Sequence, residues 1–132
     1  MTARKRDIDR KAQAGFTLIE LIAVIVILGL LAVVAVPRYI DLQDEAAAAA
    51  AQGVAGGLAS AFALNFAACA AGNAGCVAVT NCTDGGGLLQ GGLPANYVIT
   101  AGDIAVDTPA TCTVTGPTPQ SATATFTGIR FN

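Results

Sequence analysis

The sequence predicts an α+β chain: one long N-terminal helix whose second half packs on a small antiparallel sheet. Three observations carry this. From Phe16 to Val36 run 21 residues, of which only Thr17 and Glu20 are clearly polar. An alanine-rich stretch with apolar residues at helical spacing continues to Ala70. Beyond it, threonine-alternating segments lie between Gly and Pro clusters, as short strands and their turns require. The 132 residues divide accordingly into a basic segment 1–15, an apolar helix half 16–36, an amphipathic helix half 37–70 and a β-sheet head 71–132.

Charge is uneven along the chain. Residues 1–15 set Arg4, Lys5, Arg6, Arg10 and Lys11 against Asp7 and Asp9, a net of +3. Residues 16–132 set Arg38 and Arg130 against seven carboxylates, a net of −5. A basic flank before a span of membrane length predicts a cytoplasmic N-terminus. That adjacency outweighs a nucleic-acid arm as the reading of the basic run, and the acidic remainder is not built for nucleic acid. Mean hydropathy is +0.61, high for a soluble chain.

Glu20 is the anomaly in the span. A carboxylate in lipid costs about 2.5–3.5 kcal/mol on insertion scales and usually has a partner. Gly15-Phe16-Thr17-Leu18-Ile19-Glu20-Leu21, the apolar helix after it and Pro37 together resemble the N-terminus of a type IV prepilin. The resemblance covers residues 11–45 closely. It implies the type IV pilin fold. It also implies that a prepilin peptidase removes residues 1–15 by cutting between Gly15 and Phe16, and that the new Phe16 amine is N-methylated. Glu20 then serves assembly, pairing with the Phe16 amine of a neighbouring subunit and setting axial register; snorkelling to the interface is its other reading. A secretory signal peptide would instead be cut after the apolar run, near Ala35. Glu20 argues against that.

The helix is predicted from about Phe16 to Ala70. Lipid enforces it from Leu21 to Val36, because only a helix satisfies its own backbone there. Gly29 and Pro37 are its weak points. The resemblance implies that the segment between them unwinds when subunits pack into a filament. Pro37-Arg38-Tyr39-Ile40-Asp41-Leu42-Gln43 resembles pilins of the mannose-sensitive haemagglutinin group. Ala46–Ala51 continues the helix with its best intrinsic former. Val54, Leu58, Ala61, Phe62 and Asn65, with Phe66 flanking, form the stripe that faces a sheet.

Gly72, Asn73 and Gly75 end the helix. Strands are expected at 76–80, 97–100, 111–115 and 123–127, the last two as a hairpin, and a loop or a brief turn at 85–92. Four cysteines follow the span, at Cys69, Cys76, Cys82 and Cys112. An even count beyond a membrane segment suits an oxidising compartment. Three pairings are possible; Cys69–Cys76, closing the helix end, and Cys82–Cys112, tying the long loop to the hairpin, are favoured over the others. Intervening lengths of 6, 5 and 29 residues, without any histidine, do not fit structural zinc.

No cofactor, metal or catalytic group is expected. The chain has no histidine, no lysine beyond Lys11 and no phosphate-loop lysine after its glycine runs. Asp84, Asp103 and Asp107 read as turn carboxylates before they read as calcium ligands. Asn81-Cys82-Thr83 matches the N-glycosylation pattern by chance. The functional expectation is a structural subunit of a type IV pilus-like surface filament for adhesion or motility. Its implied partners are copies of itself, the peptidase, an inner-membrane platform protein and an assembly ATPase. It sits in the bacterial inner membrane with a periplasmic head before assembly and in an extracellular pilus afterwards. The alternatives are a pseudopilin of a type II secretion system and a membrane-anchored monomeric binding module.

Overall fold

The computed structural model describes residues 15–132; the basic run with Lys5 and Lys11 lies outside the described residues. The chain forms α1 (Leu18–Ala70), a 3₁₀ turn (Cys82–Asp84), α2 (Gly85–Leu88) and the strands β1 (Val98–Ile99), β2 (Ala110–Thr115) and β3 (Thr123–Gly128). This is an α+β fold with one three-stranded antiparallel sheet in the order β1-β2-β3. It divides after Arg38 into two units.

In the first unit, α1 is unbroken through Gly29 and Pro37. Every residue from Gly15 to Arg38 is exposed. A helix apolar all round cannot remain so in water. This one is long and apolar enough to cross a membrane.

In the second unit, α1 and the sheet enclose the core. Leu58, Phe62, Ile104, Val114 and Cys112 are fully buried, joined by Ala55, Val79, Ile99 and Phe126. The Phe62 and Phe126 rings stack at 5.9 Å between centroids. The buried helix positions Ala51, Ala55, Leu58 and Phe62 follow the 3.6-residue period. Expected stripe members Val54, Ala61, Asn65 and Phe66 are only half-buried. The helix side of the core is therefore the line Ala55, Leu58 and Phe62.

β2 and β3 pair from Ala110↔Gly128 to Thr115↔Thr123. Cys112, Val114, Phe126 and Gly128 face the core while the threonines between them face outward, the period-2 alternation of a half-buried strand. Two expectations need correction. Residues 76–80 are not a strand, and Gly85–Leu88 is helical rather than a loop. The 76–80 backbone is bonded elsewhere: the Asn65 side chain takes both Val77 groups, Asp84 accepts from Thr80 N and Ile104 N donates to Thr80 O. Side chains thus hold both Val77 groups and Thr80 N, while the Thr80 O bond belongs to the isolated antiparallel bridge Asn81↔Asp103, which does not extend into a strand.

Candidate functional site

The candidate site begins where the helix begins. Gly15, Phe16 and Thr17 precede α1 and are exposed. A Cβ built on Gly15 would meet nothing within 4 Å. Among the described residues, nothing packed around Gly15 therefore demands a glycine there. Phe16 is 84% exposed.

Thr17 and Glu20 close a capping box that the T-x-x-E spacing signals and the sequence reading passed over. Glu20 N donates to Thr17 Oγ1 at 3.3 Å; Thr17 N and Thr17 Oγ1 donate to Glu20 Oε2 at 3.2 and 3.1 Å. Glu20 is thus a local cap, which satisfies amides that helix starts leave open. Both donated bonds end on Oε2. Among the described residues Oε1 accepts none.

Gly29 likewise has open space where a Cβ would be. Pro37 lies inside the helix and contributes no N–H to it.

The cysteines lie in the second unit, in two bonds. Cys69 joins Cys76 and Cys82 joins Cys112, with sequence separations of 7 and 30. Chain-entropy reasoning assigns about 2.5 kcal/mol to the short loop and about 3.7 to the long one. Cys82 and Cys112 are core residues, 3% and 2% exposed. Cys69 is 8% exposed while Cys76 is on the surface.

The helix end beside Cys69 is separately fixed. Gly72, at φ 65°, donates to Cys69 O and Asn73 N donates to Ala68 O, both at 2.9 Å, which is a Schellman motif. Asn81, the residue of the glycosylation pattern, is committed to structure. Its Oδ1 accepts from Thr83 N, Thr83 Oγ1 and Gly102 N, and its Nδ2 donates to Asp103 Oδ1. Asp84 completes a second capping box by accepting from Asn81 N at 2.9 Å and Thr80 N at 2.8 Å. These backbone bonds, Thr80 first, hold its carboxyl below the usual range. Among the described residues no three His, Cys, Asp or Glu side chains gather as a metal site would require.

Comparison with known proteins places weight on the first unit. Residues 10–36 match the prokaryotic N-terminal methylation motif. The chain carries the N-methylation motif of prokaryotic prepilins. It is 52% identical over 50 residues to the type IV narrow pilus major component PilA5 of Thermus thermophilus, covering 38% of this chain and 43% of that protein. It is 47% identical over 45 residues to the type II secretion system core protein G of Pseudomonas aeruginosa, covering 34% of this chain and 32% of that protein. The chain thus spans less than half the length of either relative it matches. No solved structure matches. The motif overlaps the start of the N-terminal apolar helix, which is long and apolar enough to cross a membrane, and the two together fit membrane anchoring.

Proposed function

We propose that this protein is a structural subunit of a type IV pilus-like filament, inserted through Phe16–Val36 and released for assembly by cleavage between Gly15 and Phe16. The observation that carries this is the prepilin motif at residues 10–36, set on a helix half that is exposed along its whole apolar length. Such a surface needs lipid first and neighbouring helices afterwards. Because one apolar surrounding replaces another, association must draw on close packing and polar pairing. Glu20 supplies the pairing. Its unused Oε1 receives the Phe16 amine of the next copy while Oε2 keeps the cap. Gly29 and Pro37 are where the helix yields as copies pack. The partners are further copies, a prepilin peptidase, a platform protein and an assembly ATPase. The 71–132 head faces the periplasm and then the exterior, and no catalysis is involved.

The pseudopilin reading rests on the relative of the secretion class, 47% identical over 45 residues. One experiment separates the two. Intact mass is taken on sheared surface fibres and on the cell envelope, with and without amine-reactive label. Lys5 and Lys11 are the chain's lysines, so after cleavage the Phe16 amine is the sole aliphatic amine left. A surface-fibre mass starting at methylated Phe16 with one label is expected. A full-length mass with lysine labels overturns processing. A processed chain confined to the envelope transfers the reading to the secretion filament.

A further inference from the structure

The two disulfides occupy opposite environments. Cys82–Cys112 lies in the core between the 3₁₀ turn and β2, with both residues buried. Cys69 and Cys76 instead line an open cleft of about 300 Å³ together with Val77, Thr80, Arg130 and Phe131. Arg130 is the one cation between Tyr39 and Asn132. Its backbone is held in place: Asp107 N donates to Arg130 O at 2.8 Å, and the adjacent Phe131 ring meets Phe66 edge-on at 5.6 Å. An accessible disulfide therefore shares a cleft with Arg130, a cationic residue whose backbone is held. Thiol–disulfide exchange is carried out by a thiolate anion and limited by access to sulfur.

We propose that Cys69–Cys76 is an exchange-active disulfide whose substrate is a thiol that docks as its thiolate against Arg130, leaving Cys82–Cys112 as a permanent staple. The thiolate attacks Sγ of exposed Cys76. The Cys69–Cys76 bond breaks, its electron pair leaves on Cys69 Sγ, and that sulfur takes a proton. A mixed disulfide now joins Cys76 to the incoming thiol. A second thiol of the same reductant attacks the partner sulfur of that bond and releases Cys76, which is protonated in turn. Two electrons and two protons pass from a dithiol, which becomes a disulfide, to the pair.

The fold accommodates the reduced pair. The Schellman turn at Gly72, the Gly75 N bond to Asn73 Oδ1 at 2.8 Å and the two bonds from Asn65 to Val77 hold the segment without the sulfur link. Cys69 Sγ lies 3.9 Å from Val77 O, so its thiol finds an acceptor in place. None of this depends on filament assembly.

The test uses the full chain in detergent micelles. It is exposed to reduced glutathione or to a thioredoxin-type dithiol protein, quenched with N-ethylmaleimide, then fully reduced, carbamidomethylated and mapped by mass. Cys69 and Cys76 should carry maleimide at least about tenfold faster than Cys82 and Cys112, because exchange follows access, with the circular dichroism of the head unchanged. Equal rates, or faster labelling of Cys82 and Cys112, overturn the proposal, as does loss of the head's structure on labelling. Arg130→Gln should slow reduction by thiolates roughly two- to fivefold, more at low salt, and leave reduction by a neutral phosphine unchanged. An equal effect on both reagents, or none on either, removes Arg130 from the site. Reaction with glutathione as fast as with the dithiol protein assigns a small-molecule thiol as substrate; a marked advantage for the protein assigns a protein dithiol. The double variant Cys69→Ala, Cys76→Ala should keep the fold and lose early labelling.

Discussion

The side chain of Asn65 closes on the backbone of Val77 at both ends, Val77 N donating to Oδ1 and Nδ2 donating to Val77 O, each at 2.9 Å. A side-chain amide thus supplies the two bonds a neighbouring strand would have given. Twelve residues separate the partners, so the clamp ties the last turns of α1 to the segment that leaves the helix. Asn65→Ala should cost about 1–2 kcal/mol, at about 1 kcal/mol net per bond, read as a lower denaturant midpoint with unchanged slope. Asn65→Asp should cost more at neutral pH, because a carboxylate faces the Val77 carbonyl, and should recover as the pH falls.

Glu20 caps the helix through Thr17, the proposed function adds a pairing task, and two substitutions divide them. Glu20→Gln keeps a carbonyl oxygen for Thr17 N and Thr17 Oγ1 but removes the charge. Amide hydrogen exchange at Thr17 should stay slow while filament yield collapses. Glu20→Ala should lose both, with the helix start weakened by about 1 kcal/mol. Normal filament yield from Glu20→Gln would show that the charge plays no part in assembly.

Asp84 links stability to pH. Its folded carboxyl titrates below the ordinary 3.8, chiefly through the backbone bonds from Thr80 and Asn81. The stabilisation is therefore complete above the unfolded value and is lost as pH falls through the depressed folded one. Asp84→Asn should flatten that acid limb of the melting curve and lower stability at neutral pH, where the capping carboxylate is missing. A variant with the parent's full acid sensitivity would locate the linkage elsewhere.

Glycines in the second unit divide by what surrounds them. A Cβ on Gly85 would sit 2.5 Å from Phe62 Cε2 and 3.3 Å from Leu58 Cδ2. Both neighbours are fully buried and cannot withdraw. Gly85→Ala should destabilise by about 1–3 kcal/mol, the usual range for overpacking. Gly53 lies in α1 with open space around it, so Gly53→Ala should stabilise by about 1 kcal/mol through helix propensity. Thermal melts of the two variants should move in opposite directions.

The long helix, the sheet and the prepilin motif are legible in the residues alone. Each follows from short-range pattern: an apolar run of membrane length, alanine at helical spacing, threonine alternating with core residues. β2 and β3 fall within a residue of their expected bounds because a strand's period is set locally, and α1 starts at Leu18 rather than Phe16 because Thr17 caps it. The tertiary structure decided what depends on which groups meet. Val77 forms no strand, since the Asn65 side chain takes both of its backbone groups, and the Asp84 carboxylate takes Thr80 N. Gly85–Leu88 turns helical where Asn81 and Asp84 cap its approach and Phe62 demands a residue without a side chain. Ala55, which the sequence-read stripe did not include, is buried because it joins the core cluster with Leu58, Phe62 and the sheet residues Val114 and Phe126. Four cysteines permit three pairings on paper. The folded chain selects one by bringing Cys112 of β2 over Cys82 in the core and leaving Cys76 within reach of Cys69 at the surface.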